Sequence, residues 1–232
     1  MRAAITGASR GLGLEFARLY LEAGHQVLAL ARNPDKSEGL SDLYAKHAVR
    51  LTCVPCDVAA DESVEQACEK AQGSIDALDL LINDAGTYGS RKEHLEELDF
   101  DEVRQVFEVN CIGALRVSRA FLPLLKKAPG AKLVHITSLM GSLGDNRSGG
   151  AYAYRLSKAA LNMASINIAL DLGKERMISV VLHPGWVKTD MGGPNAPLGI
   201  EEAVRAMIQT IERLGPEQNG GFFDRHGKPQ PW

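Results

Sequence analysis

The chain has 232 residues, 45% hydrophobic and 24% charged, with a formal net charge of −3, a balance that suits one folded domain with a substantial core and excludes a disordered chain. No basic run offers a footprint for nucleic acid or an anionic membrane, and no apolar run approaches the ~18 residues of a membrane span. Met1 leads almost at once into a strand-like run, and Cys53, Cys56, Cys68 and Cys111 are too few and too irregular for a disulfide framework, so the expectation is a cytoplasmic protein with reduced thiols and no leader.

Arg2 to Thr6 reads as a strand, Gly7-Ala-Ser-Arg-Gly-Leu-Gly13 as a turn, and the stretch to Ala23 as a helix closed by Gly24. Glycines let the backbone fold tightly, and the free amides at the following helix start make a place for phosphate oxygens. The Gly-x-x-x-Gly-x-Gly spacing differs from the Gly-x-Gly-x-x-Gly fingerprint; its weight comes from the strand before it and a second strand, Gln26 to Ala31, after it. Val49 to Pro55 reads as a third strand, Asp61 to Gln72 as a helix and Leu78 to Asn83 as a fourth strand. This alternation predicts an α/β fold, a doubly wound parallel sheet of about seven strands with helices on both faces, in a single domain over residues 1–232. Cys53 and Cys56 lie on a strand, with no second Cys/His pair at zinc spacing, and read as structural. Asp57, at that strand's carboxyl end, reads equally well as an adenine contact or a helix cap. The six histidines show no metal-ligand spacing, and no metal is expected.

Asn83-Asp84-Ala85-Gly86 is followed by a polar loop to about Leu98 and a helix from Asp99 to about Lys126, with Asp99 and Glu102 as a capping pair. Asn110 interrupts the apolar run of that helix and is either a satisfied core amide or a side chain with a specific hydrogen-bonding task. A fifth strand, Lys132 to Thr137, ends at Ser138, and the glycine-rich loop Met140 to Gly150 leads into Ala151 to Asn162. Tyr154 and Lys158 stand four residues apart there and share a helical face, so the ammonium favours phenolate and offers an acid and base near neutrality. Packing plus a solvated lysine is the plain alternative. Tyr152 falls on a different part of the surface. A sixth strand, Ile178 to Leu182, ends in His183-Pro-Gly185 and a loop to Gly199; a helix over Ile200 to Leu214 and a strand over Gly221 to Asp224 follow.

Five ordered signals, Thr6-Gly-Ala-Ser-Arg-Gly-Leu-Gly13, Asn83-Asp-Ala-Gly86, Asn110, Ser138 with Tyr154-x-x-x-Lys158, and Pro184-Gly-x-x-x-Thr189, make the chain resemble the short-chain dehydrogenase/reductase family over essentially its whole length. His183 to Met191 and the ending Gly220 to Trp232 look like the small carbonyl reductases of the sniffer and C-factor type. The resemblance implies a single-domain Rossmann fold that interconverts a small carbonyl or alcohol by hydride transfer. Within it, Tyr154 would exchange the proton, Lys158 would lower the tyrosine pKa and hold the nicotinamide ribose, Ser138 would hydrogen-bond the carbonyl oxygen, and Asn110 would position a relay water. The cofactor would meet Gly7, Ser9, Arg10, Gly11, Leu12, Gly13, Arg32, Asp57, Val58, Asn83, Ala85, Gly86, Pro184, Gly185, Val187 and Thr189 besides Tyr154 and Lys158. Asp84 departs from the family's usual asparagine, and an anion there bears on sheet hydrogen bonds and on cofactor phosphates. A thioester reductase of the same family and a cofactor-binding signalling protein are the competing readings.

No carboxylate ends the second strand, where one would bind the 2′-hydroxyl of NAD and repel the 2′-phosphate of NADP. Arg32 stands there and Arg10 lies in the glycine turn, so NADP(H) is expected over NAD(H), which stays possible. Helices over Val109 to Leu125 and Ala159 to Leu172 are apolar on more than one face, which predicts a homodimer or homotetramer.

Overall fold

The computed structural model describes residues 1–90 and 94–232. Seven strands form one sheet: β1 (Arg2–Thr6), β2 (Gln26–Ala31), β3 (Leu51–Pro55), β4 (Leu80–Asn83), β5 (Lys132–Ile136), β6 (Ile178–His183) and β7 (Phe222–Asp224). Their order is β3-β2-β1-β4-β5-β6-β7, with every pairing parallel. The chain changes direction of winding between β1 and β4, which opens a crevice at the carboxyl ends of the strands. Strands buried on both faces read as continuous apolar runs, and their alternate residues serve two cores. Ala3, Ile5, Val134, Val180 and Leu182 face one core with Phe16, Val204 and Met207, while Ala4, Leu28, Leu81 and Leu133 face the other with Val64, Val117 and Phe121. The helices α1 (Gly11–Glu22), α2 (Glu38–His47) and α7 (Ile200–Arg213) cover the first face; α3 (Asp61–Gln72), α5 (Gly113–Leu125) and α6 (Tyr152–Leu172) cover the second, with α4 (Phe100–Phe107) leading into α5.

The sequence reading passes over α2, a short helix with only Leu40 and Leu43 buried. Its start is fixed by Ser37, whose hydroxyl accepts from the Leu40 amide and donates to the carbonyl of Ser9 in the glycine turn. The third strand begins at Leu51 rather than Val49, which is exposed, because β2 pairs Val27 with Leu51. The helix expected over Asp99 to Lys126 is instead α4, a π-helical stretch Glu108–Ile112, and α5. Asp99 caps α4 by accepting from the amides of Asp101 and Glu102. Of the polar loop before it, residues 91–93 lie outside the described residues.

Candidate active site

The residues picked out in the sequence gather at the carboxyl ends of β1, β4, β5 and β6. The π-helical stretch explains Asn110: one extra residue in the turn sends its side chain off the helix toward the segment after β4. There Asn110 Oδ1 accepts from the Thr87 amide at 2.8 Å, and Nδ2 donates to the Thr87 carbonyl and to Ser157 Oγ. Ser157 in turn donates to the Tyr154 carbonyl. Asn110 therefore ties the β4 end to α6. On the other side, Thr137 donates to Asn162 Oδ1 at 2.6 Å and Asn162 Nδ2 reaches the Gly141 carbonyl, which pins both flanks of Ser138 to α6. A Cβ at Gly141 would stand 2.8 Å from the Lys158 backbone, so only glycine lets this loop lie so close. Gly149, Gly150 and Ala151 all have positive φ, a turn strained at the alanine that launches α6. Arg155 secures it by donating to the carbonyls of Gly149 and Met140 and to Ser148 Oγ.

Within this frame Ser138 lies beside the buried Tyr154 phenol and draws its pKa down. Lys158 Nζ lies 5.7 Å from the Tyr154 ring centroid and donates to the Ile136 carbonyl at 2.8 Å. Tyr88 stacks on Tyr154, with ring centroids 4.7 Å apart. The shared face of Tyr154 and Lys158 is thus real, but the expected depression of the tyrosine pKa is not. Burial pushes the Tyr154 phenol up to about 12, Ser138 opposes this, and Tyr88 and Asp84 add to it. Desolvation penalises phenolate directly, and the same burial brings Lys158 down to about 8, against the pull of Asp84 and Cys111. Burial likewise raises the Asp84 carboxyl to about 7, with Lys158 and the Gly13 amide working the other way.

The glycine turn fits a dinucleotide. A Cβ at Gly13 would fall 2.5 Å from the Gly7 carbonyl oxygen, and one at Gly7 2.9 Å from Ala85 Cα. No side chain caps the start of α1, so its first amides face the cleft. Thr6 Oγ1 fixes the opposite wall by accepting from the amides of Asp84 and Ala85 at 3.0 Å each. Gly86 has the Asn110 carboxamide and Lys158 Nζ against it, at 3.2 and 3.7 Å from where a Cβ would sit. A cleft of about 410 Å³ runs from Arg10 and Gly11 to Lys188, Thr189 and Asp190. Thr189 Oγ1 accepts from the Gly192 amide, while Val187 is buried and pairs with Leu198. Gly185, at φ +90°, packs beneath the Arg225 guanidinium.

A family model described as short chain dehydrogenase matches residues 1–197. The chain belongs to the short-chain dehydrogenase family. C-signal of Myxococcus xanthus is 48% identical over 67% of this chain and 93% of that one. Carbonyl reductase Sniffer of D. melanogaster superposes with a TM-score of 0.95 at 33% identity, covering 100% and 99% of the two chains. An NADPH-bound carbonyl reductase from chicken fatty liver gives 0.93 at 33% identity, covering 100% and 98%.

In this short-chain dehydrogenase several residues stand otherwise than the sequence suggests. Asn83 turns into the core, where Nδ2 meets Ser118 Oγ and His135 Nδ1, so it secures the strand end and does not face the cleft. Asp57 neither caps α3 nor stands free: Oδ1 accepts from the Ala59 amide, and its own amide donates to Ser63. Val58 is buried against Gly113. The exposed Arg10 guanidinium pairs across the cleft with Asp190 at 2.9 Å, and Arg32 is exposed at the end of β2. The sequence reading assigned no task to Thr6, Tyr88, Arg155, Ser157 or Asn162. Only Thr6 carried a signal, as the residue before the glycine turn; the rest act through contacts between distant segments.

Proposed function

We propose that this short-chain dehydrogenase is an NADP(H)-dependent carbonyl reductase that interconverts a small carbonyl compound and its alcohol. The observation that carries this reading is the geometry of the site: Tyr154 and Lys158 share one face of α6, with Lys158 Nζ 5.7 Å from the Tyr154 ring centroid and Gly86 packed against it. A tyrosine is protonated throughout neutral pH, so Tyr154 enters reduction as the proton donor. The bound nicotinamide supplies the hydride. Tyr154 gives its proton to the carbonyl oxygen, and Ser138 holds that oxygen as charge develops on it. Lys158 steadies the ribose hydroxyls beside Gly86, and Asn110, through Thr87 and Ser157, keeps the β4 segment and α6 in register. Gly7, Ser9, Gly11, Leu12 and Gly13 hold the phosphates, with Ala85, Gly86, Pro184, Gly185 and Thr189 along the nicotinamide side. The chicken relative's NADPH-bound structure supports the phosphorylated cofactor. With Arg10 paired to Asp190, Arg32 is left to meet the 2′-phosphate.

Similarity to C-signal favours a second reading, a signalling protein with vestigial catalysis. The complete Ser138, Tyr154, Lys158 and Asn110 set weighs against it. A panel of aldehydes and ketones followed by loss of NADPH absorbance decides: turnover of at least one carbonyl supports the reductase, and none across the panel supports the alternative. Arg32→Asp should raise the Michaelis constant for NADPH at least tenfold while leaving that for NADH unchanged or lower. Equal use of both cofactors by the wild type would remove the NADP(H) preference.

A further inference from the structure

Asp84 is an acid set between the glycine turn and the Tyr154–Lys158 pair, in the position where this family usually has asparagine. Its backbone amide is held by Thr6 Oγ1, so the side chain has little freedom to leave. Its Oδ2 lies 2.9 Å from where a Cβ on Gly13 would sit, and the Gly13 amide beside it favours the ionised carboxylate. That amide belongs to the first turn of α1, whose free N–H groups are the ones available to a phosphate. An ionised Asp84 both competes for one of these donors and brings a negative charge against the place a pyrophosphate would take. Asparagine would do neither.

We propose that Asp84 is a positioning residue that couples cofactor binding to the uptake of one proton at its carboxylate. This rests on the cofactor reading above. The proton comes from solvent and forms an O–H bond on Asp84; the gain is the removal of a buried like charge from beside the phosphates. The ionisable groups that face Asp84 are Lys158 and Tyr154 of α6, with Cys111 of the π-helical stretch acting through Lys158. The glycine turn contributes only the uncharged Gly13 amide. Lys158 favours the ionised carboxylate and desolvation the neutral one, and desolvation prevails, which leaves the group at about 7. An added dianionic pyrophosphate moves the balance further toward the neutral acid.

The test is calorimetry of NADH and NADPH binding in two buffers of different ionisation enthalpy, on wild type and Asp84→Asn. NADH is the cleaner probe because its phosphates do not titrate in this range. Wild type should take up a large fraction of a proton per NADH above pH 7, and Asp84→Asn none. NADH and NADPH should each bind Asp84→Asn at least fivefold tighter than wild type at pH 8, with the gap closing below pH 6. Equal uptake by both proteins, or an affinity ratio that does not change between those two pH values, would overturn the proposal. Should the variant fail to fold, the wild-type profile decides: uptake sets in near about 7 for Asp84 and near about 8 if Lys158 were the site. Binding without proton uptake refutes the proposal alone, whereas failure of both cofactors to bind at any pH refutes the cofactor reading and the proposal with it.

Discussion

At Tyr154 a single hydroxyl separates activity from mere packing. Tyr154→Phe keeps the ring that stacks on Tyr88 and removes only the hydroxyl, so turnover should fall about a hundredfold or more with NADPH affinity nearly unchanged. Tyr152→Phe should be close to silent. Steady-state rates and fluorescence titration with NADPH check both, and a Tyr154→Phe enzyme retaining a tenth of wild-type turnover would defeat the assignment. His135 carries a different consequence. Fully buried between Asn83 and Ser179, it is brought down to about 4 by desolvation, with Lys158 adding to the effect. Ser118 donates to the Ala114 carbonyl and so accepts from Asn83; Asn83 then donates to His135 Nδ1, which fixes a neutral ring protonated on Nε2. Between pH 6.5 and about 4 the unfolded chain binds a proton that the folded chain does not. The neutral ring's contribution is therefore complete above pH 6.5 and is lost as the pH falls toward 4, about 3 kcal/mol in all. Urea denaturation from pH 7 to pH 4.5 should show a shallower loss of stability in His135→Asn than in wild type. An unchanged slope would mean that His135 is not the group responsible.

At the scale of elements, the glycine turn and the π-helical stretch do comparable work by opposite means. The turn succeeds by leaving side chains out. Gly13→Ala would drive a methyl to 2.5 Å from the Gly7 carbonyl oxygen, a backbone atom, and 2.9 Å from the Asp84 side-chain Oδ2. We expect a loss of about 1 to 3 kcal/mol in stability together with loss of NADPH binding, read by denaturation and by fluorescence. A Gly13→Ala protein that binds NADPH as wild type does would show that the turn has slack its geometry denies. The π-helical stretch succeeds by adding a residue, and Asn110 needs that extra step to reach Thr87 and Ser157 at once. The sequence marks an oddity at Asn110 because asparagine is out of place in an apolar helix. It does not show the π-turn, since nothing local distinguishes a straight helix from one bulged by a contact made 23 positions earlier in the chain.

At the scale of the whole molecule, α6 keeps Leu156, Met163 and Leu170 exposed, a stripe repeating every seven residues on the side away from the sheet, with Leu115 of α5 also partly exposed. Water-facing leucines at that spacing form a seam that a second copy would cover. Light scattering at micromolar concentration should give a dimer or tetramer, and Leu170→Glu with Met163→Glu should reduce it to monomer. A monomeric wild type would leave the stripe without this role. The end of the chain also binds the site frame: the Trp232 carbonyl accepts from the Gly144 amide and Ser142 hydroxyl, and its ring packs near Phe222. Those contacts join the chain end to the loop that follows Ser138 and to the last strand.

The order of strands and helices, the glycine turn, and the Tyr154 and Lys158 pair were legible in the sequence because each is local: a period, a spacing, a residue type beside its neighbour. The short helix after β2 was not, since two buried leucines give too weak a period and its cap, Ser37, draws its strength from a bond to Ser9. Only the tertiary structure decided that burial raises the Tyr154 pKa, because spacing reports the nearby lysine but not the desolvation around the phenol. It likewise decided that Arg10 pairs with Asp190, and that Asp84 lies against Gly13 and near Lys158. Distances between segments far apart in the chain set these outcomes, and electrostatic strength depends on both distance and the water excluded between the charges.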